Sequence, residues 1–392
     1  MMRAVIGLAL LAAAASNSAL AQTLAIALIE DRSPAHADVA RHSEDGFRLG
    51  LDYATHGSFR VRGREIALRV RDDRGDPMTA ARLLGEEGRD PAVALAVGAG
   101  SSAETLAMLP VAAELRRILL VAHAKADAIT ASAGNRYVFR TAASASQETI
   151  AAVLALARPE LNLAVVAPDT GEGHGAVAAL KAALERRPEG VFFISSYFLP
   201  PDRSEIGRRI AAQFDALHDL HGAKTLLTIW PGPHPPIAAI AATQPGRFGI
   251  RLALCGAIDP NAPPKAGGEL EGVTSYFYSM PSNPVNAWLV ARWGRRFHER
   301  PDETAAEAMT AAIAAVEAMA RAPSTHAEAL VAALEGMRFL APKGRLTIRR
   351  QDHQALQPMY QFRSEGAQAS AAPRLVRRIE PAEMPLPVAT RD

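Results

Sequence analysis

Short apolar runs alternate with amphipathic stretches along nearly the whole chain. "LAIALIE" (24–30) reads as a strand, and "HSEDGFRLGLDYA" (42–54) reads as a helix with Phe47, Leu51 and Ala54 on one face. "EIALRVRDD" (65–73) alternates as a strand does. In "DPMTAARLLGEE", Asp76 can cap a helix whose first turn holds Pro77. "VALAVG" and "RILLVAH" are short enough and apolar enough to be buried strands, and a helix-length segment joins each strand to the next. This repetition predicts an open parallel sheet with helices on both faces.

The pattern then restarts. A helix over 150–158 precedes the strand "NLAVVAPD" and the glycine loop "TGEGHG". A helix over 176–186, the strand "GVFFISSYF", a helix near 205–220 and the strand "KTLLTIW" come next. The Pro-rich loop "PGPHPP", a further helix and "IRLALCG" complete the second half. Two long Ala-rich helices follow, 287–300 and 303–322, and then "GRLTIRRQDHQALQPMYQFR" as strand, turn and strand. The fold class is therefore α/β with two halves. The stretch 366–392, rich in Ala, Pro and Ser, reads as a mobile C-terminal tail.

A chain of 392 residues is too long for one ordinary core. At its start, Arg3 precedes the apolar run 4–15 and the small-residue pattern Ala19-Leu20-Ala21, which reads as a signal peptide over 1–21 and places the mature protein in the periplasm. Cleavage there removes only Arg3 among charged residues, leaving 42 basic against 41 acidic, a net of +1. So even a balance argues against a nucleic-acid partner. Cys255 is the only cysteine, and no internal disulfide can form.

"VALAVGAGSSAE" (93–104) is the first candidate site. Gly98, Gly100 and Ala103 fit G-x-G-x-x-A, but the stretch is not on the first βαβ unit and no acid ends the next strand, so a dinucleotide fingerprint is disfavoured. Ser101 and Ser102 lack the second glycine of a nucleophile elbow. Bare N–H groups at a helix start remain, an arrangement suited to a carboxylate or simply to a serine cap. His218 and His221, three apart on one expected helix face, lack a second pair to complete a metal site. Asp72 and Asp73 are expected on opposite faces of a strand, and "RRQDHQ" as a hairpin turn. No metal or cofactor is expected.

The segments "DGFRLGLDYA", "VRGREIALRVRDDRGDPMTAARLL", "VGAGSSAETLAMLPVAAELRRILLVAHAKADAIT", "NRYVFRTAASASQE", "LEGVTSYF" and "GRLTIRRQDHQALQPMY" span about 24–362. In order and spacing they resemble type I periplasmic substrate-binding proteins of ABC importers, the leucine/isoleucine/valine-binding family. The resemblance implies two Rossmann-like lobes joined by three crossovers, near 141–147, 274–279 and 339–343. Lobe one is then 23–142 plus 278–340, and lobe two 143–277 plus 341–365. It implies no catalysis, hinge closure over a small ligand, an ABC permease complex as partner, and a monomer. A periplasmic sensor module is the alternative, and a secreted α/β amidase a weaker one.

By the same resemblance Ser101 and Ser102 would bind a ligand carboxylate. Ala124 falls where a carbonyl would contact ligand, and Ala126 where a threonine hydroxyl would be expected. Lys125 faces three readings: a solvated lysine, a ligand contact or a salt bridge between lobes. In lobe two His174 takes a lid position, and Trp230, Pro233 and His234 lie in another contact loop. No clear acid stands near Cys255 to hold an α-ammonium, Asp259 being slightly beyond. The expected ligand is a branched-chain or other hydrophobic amino acid, or an apolar or aromatic carboxylate or amide.

Overall fold

Strand-forming runs without a polar face end up between two layers of helices, in two separate sheets. The computed structural model describes residues 23–98, 100–186, 190–200, 206–232, 234–262, 266–364 and 372–388. The expected leader 1–21 lies outside them, as does Pro233.

The first lobe holds β1 (Thr23–Glu30), β2 (Arg60–Val61), β3 (Arg64–Asp72), β4 (Val93–Gly98), β5 (Leu119–Val121) and β6 (Val138–Arg140). Their order is β2-β3-β1-β4-β5-β6, parallel except for the β2–β3 hairpin. Between them run α1 (Ala37–Ala54), α2 (Pro77–Arg89) and α3 (Ser102–Leu115). Asp76 caps α2 by accepting from the Thr79 N–H, with Pro77 in the first turn, as the sequence predicts.

In the second lobe are β7 (Leu161–Pro168), β8 (Val191–Leu199), β9 (Ala223–Trp230), β10 (Ile250–Gly256) and β11 (Leu270–Thr274), with α4 (Ala145–Leu156), α5 (Gly171–Glu185), α6 (Ile206–His218) and α7 (Ile237–Ala241). The chain then returns to the first lobe as α8 (Pro284–Phe297), α9 (Glu303–Arg321), α10 (Ala327–Leu334) and a small antiparallel sheet of β12 (Arg338–Ala341), β13 (Gly344–Ile348) and β14 (Ala355–Leu356). It ends in the second lobe with β15 (Met359–Ser364) and β16 (Arg374–Ile379), both antiparallel. The second sheet is thus ordered β16-β15-β11-β10-β9-β7-β8.

The backbone crosses between lobes three times, at 141–144, 275–283 and 357–358. The third differs from the expected 339–343. Phe339, Ala341, Leu346 and Ile348 alternate inward and join the core of lobe one, so the β12–β13 hairpin belongs wholly to that lobe. Lobe one therefore extends to Leu356 and lobe two resumes at Met359. The expected mobile tail is also corrected. β16 pairs with β15, Ile379 and Met384 enter the core of lobe two, and Arg349 of lobe one donates to the carbonyls of Leu386 and Pro387.

Helix α9 is Ala-rich, buried along almost its whole length, and pressed against α1. Small residues let the two backbones approach. A Cβ on Gly46 would stand 2.4 Å from the Ala305 carbonyl oxygen, and one on Gly50 2.6 Å from the Ala312 methyl. Overpacking of this kind costs about 1–3 kcal/mol. We predict that Gly46→Ala lowers the denaturant midpoint accordingly. Gly171→Ala, at a helix start where a Cβ meets nothing within 4 Å, should leave it near the wild-type value. Equal midpoints for all three proteins in urea would contradict this packing.

Candidate functional site

The loop after β4 enters α3 at Ser101. Its hydroxyl accepts from the Glu104 N–H at 3.5 Å, and the Glu104 carboxylate accepts from the Ser101 N–H at 2.7 Å. This reciprocal cap uses both of the Ser101 groups that the carboxylate reading needs, so the structure places Ser101 as a helix cap. Ser102 is different. Its hydroxyl accepts from the Ala126 N–H at 3.0 Å, and its own N–H donates to the Glu172 carboxylate at 2.8 Å. Glu172 stands in the first turn of α5, in the other lobe. The helix start does receive a carboxylate from across the cleft, and the chain itself supplies it.

Lys125 is buried between lobes. Its ammonium meets the Glu148 carboxylate of α4 at 2.6 Å and that of Glu303 of α9 at 2.7 Å. Around it the same short loop grips the start of α4: the Lys125 carbonyl accepts from the Ala145 N–H at 2.9 Å, and Asp127 accepts from the Ser146 N–H and hydroxyl. Of the three readings of Lys125, the salt bridge between lobes is the one seen here. Glu307 extends the cluster, meeting Lys343 at 3.4 Å and His123 at 3.0 Å, and the Thr274 hydroxyl, next to the second crossing, donates to Glu303.

Three carboxylates thus face two ammonium groups, all five side chains buried. Burial opposes the charge on Lys125, but Glu148, Glu303 and Glu307 outweigh it and hold its pKa well above the usual lysine value. Burial pushes Glu148 up to about 7, the Lys125 ammonium opposing the rise. Burial works against Glu307 as well, yet Lys343, the His123 hydrogen bond and Lys125 together bring it down to about 2.

Ala124 and Ala126 are spent internally. Both carbonyls accept from the buried Arg140 guanidinium, at 3.5 and 2.6 Å. Arg140 also donates to Gln354 at 2.6 Å, and Gln354 and Gln357 donate to the carbonyls of Ala142 and Thr141. The first and third crossings are tied together there.

The lobe-two candidates are not drawn together. His174 is exposed, bonded to Asp169 at 2.7 Å and stacked on Phe198. Trp230 lies in the lobe-two core with Phe277 and Met280. His234 is exposed. Asp259 accepts from the N–H groups of Asn261 and Ala262, as a turn residue does, and the Cys255 thiol is buried with its pKa pushed well up by that burial. α6 ends at His218, so His218 and His221 do not share a helix face. "RRQDHQ" is the turn between β13 and β14, as expected.

One line of groups imitates a catalytic triad. The Ser43 hydroxyl is 3.3 Å from His123 Nε2, and His123 Nδ1 is 3.0 Å from Glu307. Ser43 is buried in the middle of α1, where backbone N–H groups are used within the helix, so no donor pair faces its hydroxyl to hold an oxyanion. In Asp31–His36–Ser33 both partners approach the same nitrogen, Nδ1, which cannot relay a proton from one to the other.

The sequence matches a family described as periplasmic binding protein over residues 23–369. Comparison with curated proteins gives no match. Among solved structures, an ABC-type branched-chain amino acid transporter protein from Rhodopseudomonas palustris is 38% identical, covers 94% of this chain and 100% of its own, and superposes with a TM-score of 0.82. A solute-binding protein of an ABC transporter from the same species, in complex with 3,4-dihydroxybenzoic acid, is 19% identical over 93% of this chain and 99% of its own, with a TM-score of 0.78. A leucine-binding protein from Thermotoga maritima is 18% identical over 92% and 99%, with a TM-score of 0.74. These last two share the fold. The class is a two-lobed type I periplasmic binding fold. The chain belongs to the periplasmic binding protein family.

The hinge cluster predicts a pH dependence with a definite sign. A carboxyl whose folded pKa is raised from 4.5 to about 7 keeps a proton that the unfolded chain releases. Stability should therefore rise as pH falls from 8 to about 5. The Glu307 contribution runs the other way and is lost only as pH falls below its ordinary 4.5 toward 2. Glu148→Gln leaves two carboxylates for two ammonium groups and should flatten the rise. Thermal unfolding of both proteins from pH 5 to 8 checks this; parallel curves would contradict it.

Proposed function

We propose that the protein is the periplasmic solute receptor of an ABC importer. It closes two lobes over a small ligand and presents the closed form to the permease. The ligand class is a branched-chain or other hydrophobic amino acid, or an aromatic acid or amide. Family membership and the 38% identical structure, named as a branched-chain amino acid transporter, support this reading. Among the described residues no helix is long and apolar enough to cross a membrane. Export through the leader 1–21, cleavage before Gln22 and a monomeric state belong to the same proposal.

The observation that carries it is the Glu172 carboxylate on the Ser102 N–H, 2.8 Å away across the cleft. A ligand carboxylate entering the cleft competes with Glu172 for that donor at the start of α3. Glu172 is then a stand-in that holds the lobes together until a ligand displaces it. Binding is thus an exchange of one carboxylate for another, and Lys125 serves closure.

The exchange predicts a gain of affinity on removing the competitor. A hydrogen bond to a charged group contributes about 1.5–3 kcal/mol, so Glu172→Ala should tighten carboxylate binding by roughly tenfold or more. Calorimetry with leucine, 4-hydroxybenzoate and benzamide decides it. A carboxylate bound more tightly by the variant is the expected result. Unchanged affinity, or preference for the neutral amide, would overturn the exchange.

A further inference from the structure

Beside the α3 start, lobe one gathers carboxylates that the closure mechanism does not use. Asp31 follows β1, Asp72 ends β3, and Asp73 comes next. One carboxylate oxygen from each lies within 4.8 Å of the other two. The expectation that Asp72 and Asp73 face apart fails: the strand stops at Asp72, Asp73 lies beyond it, and the chain then turns through Arg74 and Gly75, both at positive φ. Gly75 is needed there: a Cβ would stand 2.9 Å from Asp31 Oδ2.

The polar partners offset the charge of the group only in part. Asp31 accepts from the Ser33 N–H and meets His36 Nδ1 at 2.6 Å. Asp72 accepts from the N–H groups of Arg32 and Arg74, and Asp73 Oδ1 from that of Gly75 at 3.0 Å. The Arg32 guanidinium turns to Glu30 and Glu44 instead. Asp73 is fully buried, and its second oxygen, Oδ2, has no hydrogen-bond partner. A buried carboxylate oxygen without a donor, crowded by two further carboxylates, calls for a positive charge.

We propose that Asp31, Asp72 and Asp73 form a calcium site on the edge of lobe one. The donors are all hard oxygens, which suit Ca²⁺ or Mg²⁺ rather than a softer metal. Ca²⁺ is the better match of the two: it takes six to eight oxygens in adaptable geometry, which a turn open to solvent can supply, whereas Mg²⁺ demands a near-ideal octahedron. Exposed Asp72 opens the site to solvent, which supplies the remaining ligands as water. The ion would pin the β1–α1 loop to the β3–α2 turn and so stiffen this edge of the cleft, whatever ligand the cleft takes.

The test uses the mature protein stripped with a chelator, titrated with CaCl₂ and separately with MgCl₂, by calorimetry and thermal shift. The expected result is one calcium per chain, with a dissociation constant between about 10 µM and 1 mM, a raised unfolding midpoint, and a weaker magnesium response. Asp73→Asn keeps the Gly75 N–H bond and removes a charge. In chelator it should unfold at or above the wild-type midpoint, yet bind calcium at least tenfold more weakly. Asp31→Asn should weaken binding likewise. No binding by wild type up to about 5 mM calcium, or equal binding by Asp73→Asn, would overturn the site.

Discussion

An ammonium group taken out of water must find negative partners, and Lys125 has both of its direct partners only when both lobes are in place. Glu303 comes from its own lobe and Glu148 from the other. Removing one partner of a buried ion pair costs about 3–5 kcal/mol, because the charge left behind is neither hydrated nor paired. The lobes are thus coupled electrostatically at the points where the chain passes between them. A buried pair is a poor source of net stability, since desolvation consumes much of its attraction. What it supplies is a closed arrangement that is specific.

Much of the hinge follows from this constraint. Lys125 lies in a loop that also binds the start of α4 through its carbonyl and through Asp127, so the ammonium is fixed relative to the helix that carries Glu148. Arg140, Gln354 and Gln357 tie the first and third crossings to each other. The cluster carries one carboxylate more than it has ammonium groups, and burial raises Glu148 to about 7 against the pull of Lys125. Farther out, Glu172 reaches across the cleft to Ser102. One set of cross-lobe contacts therefore sits at the hinge and another at the cleft edge, and a ligand needs to replace only the second.

Local chemistry was legible in the sequence where it acts over a few residues. The β–α alternation, the Asp76 cap and the turn at "RRQDHQ" each depend on neighbours, and each is found as read. Ser101 is the cap that the plainer reading allowed. The third crossing, taken from the resemblance as 339–343, was misplaced, although the inward alternation of Phe339, Ala341, Leu346 and Ile348 marks this stretch as core. The tail was misread from its composition, while "RLVRRI" carries a strand pattern whose arginines suit an exposed edge. Glu148, Glu172, Glu303 and Glu307 were missed because their partners are distant in sequence. A signal did exist: Glu303 and Glu307, four apart, stand in the Ala-rich first half of a buried helix, and carboxylates on a buried face need cations.

The claim that Lys125 holds the lobes together is tested most directly by a distance between them. Spin labels can be placed at exposed Glu114 on α3 and Glu185 on α5, since the native Cys255 is buried. Pulsed electron resonance on the ligand-free protein would then be compared with Lys125→Met. The account predicts a short, narrow distance distribution for wild type, and a shift to longer, broader distances once Glu148 and Glu303 lose their shared cation. Superimposable distributions would contradict it.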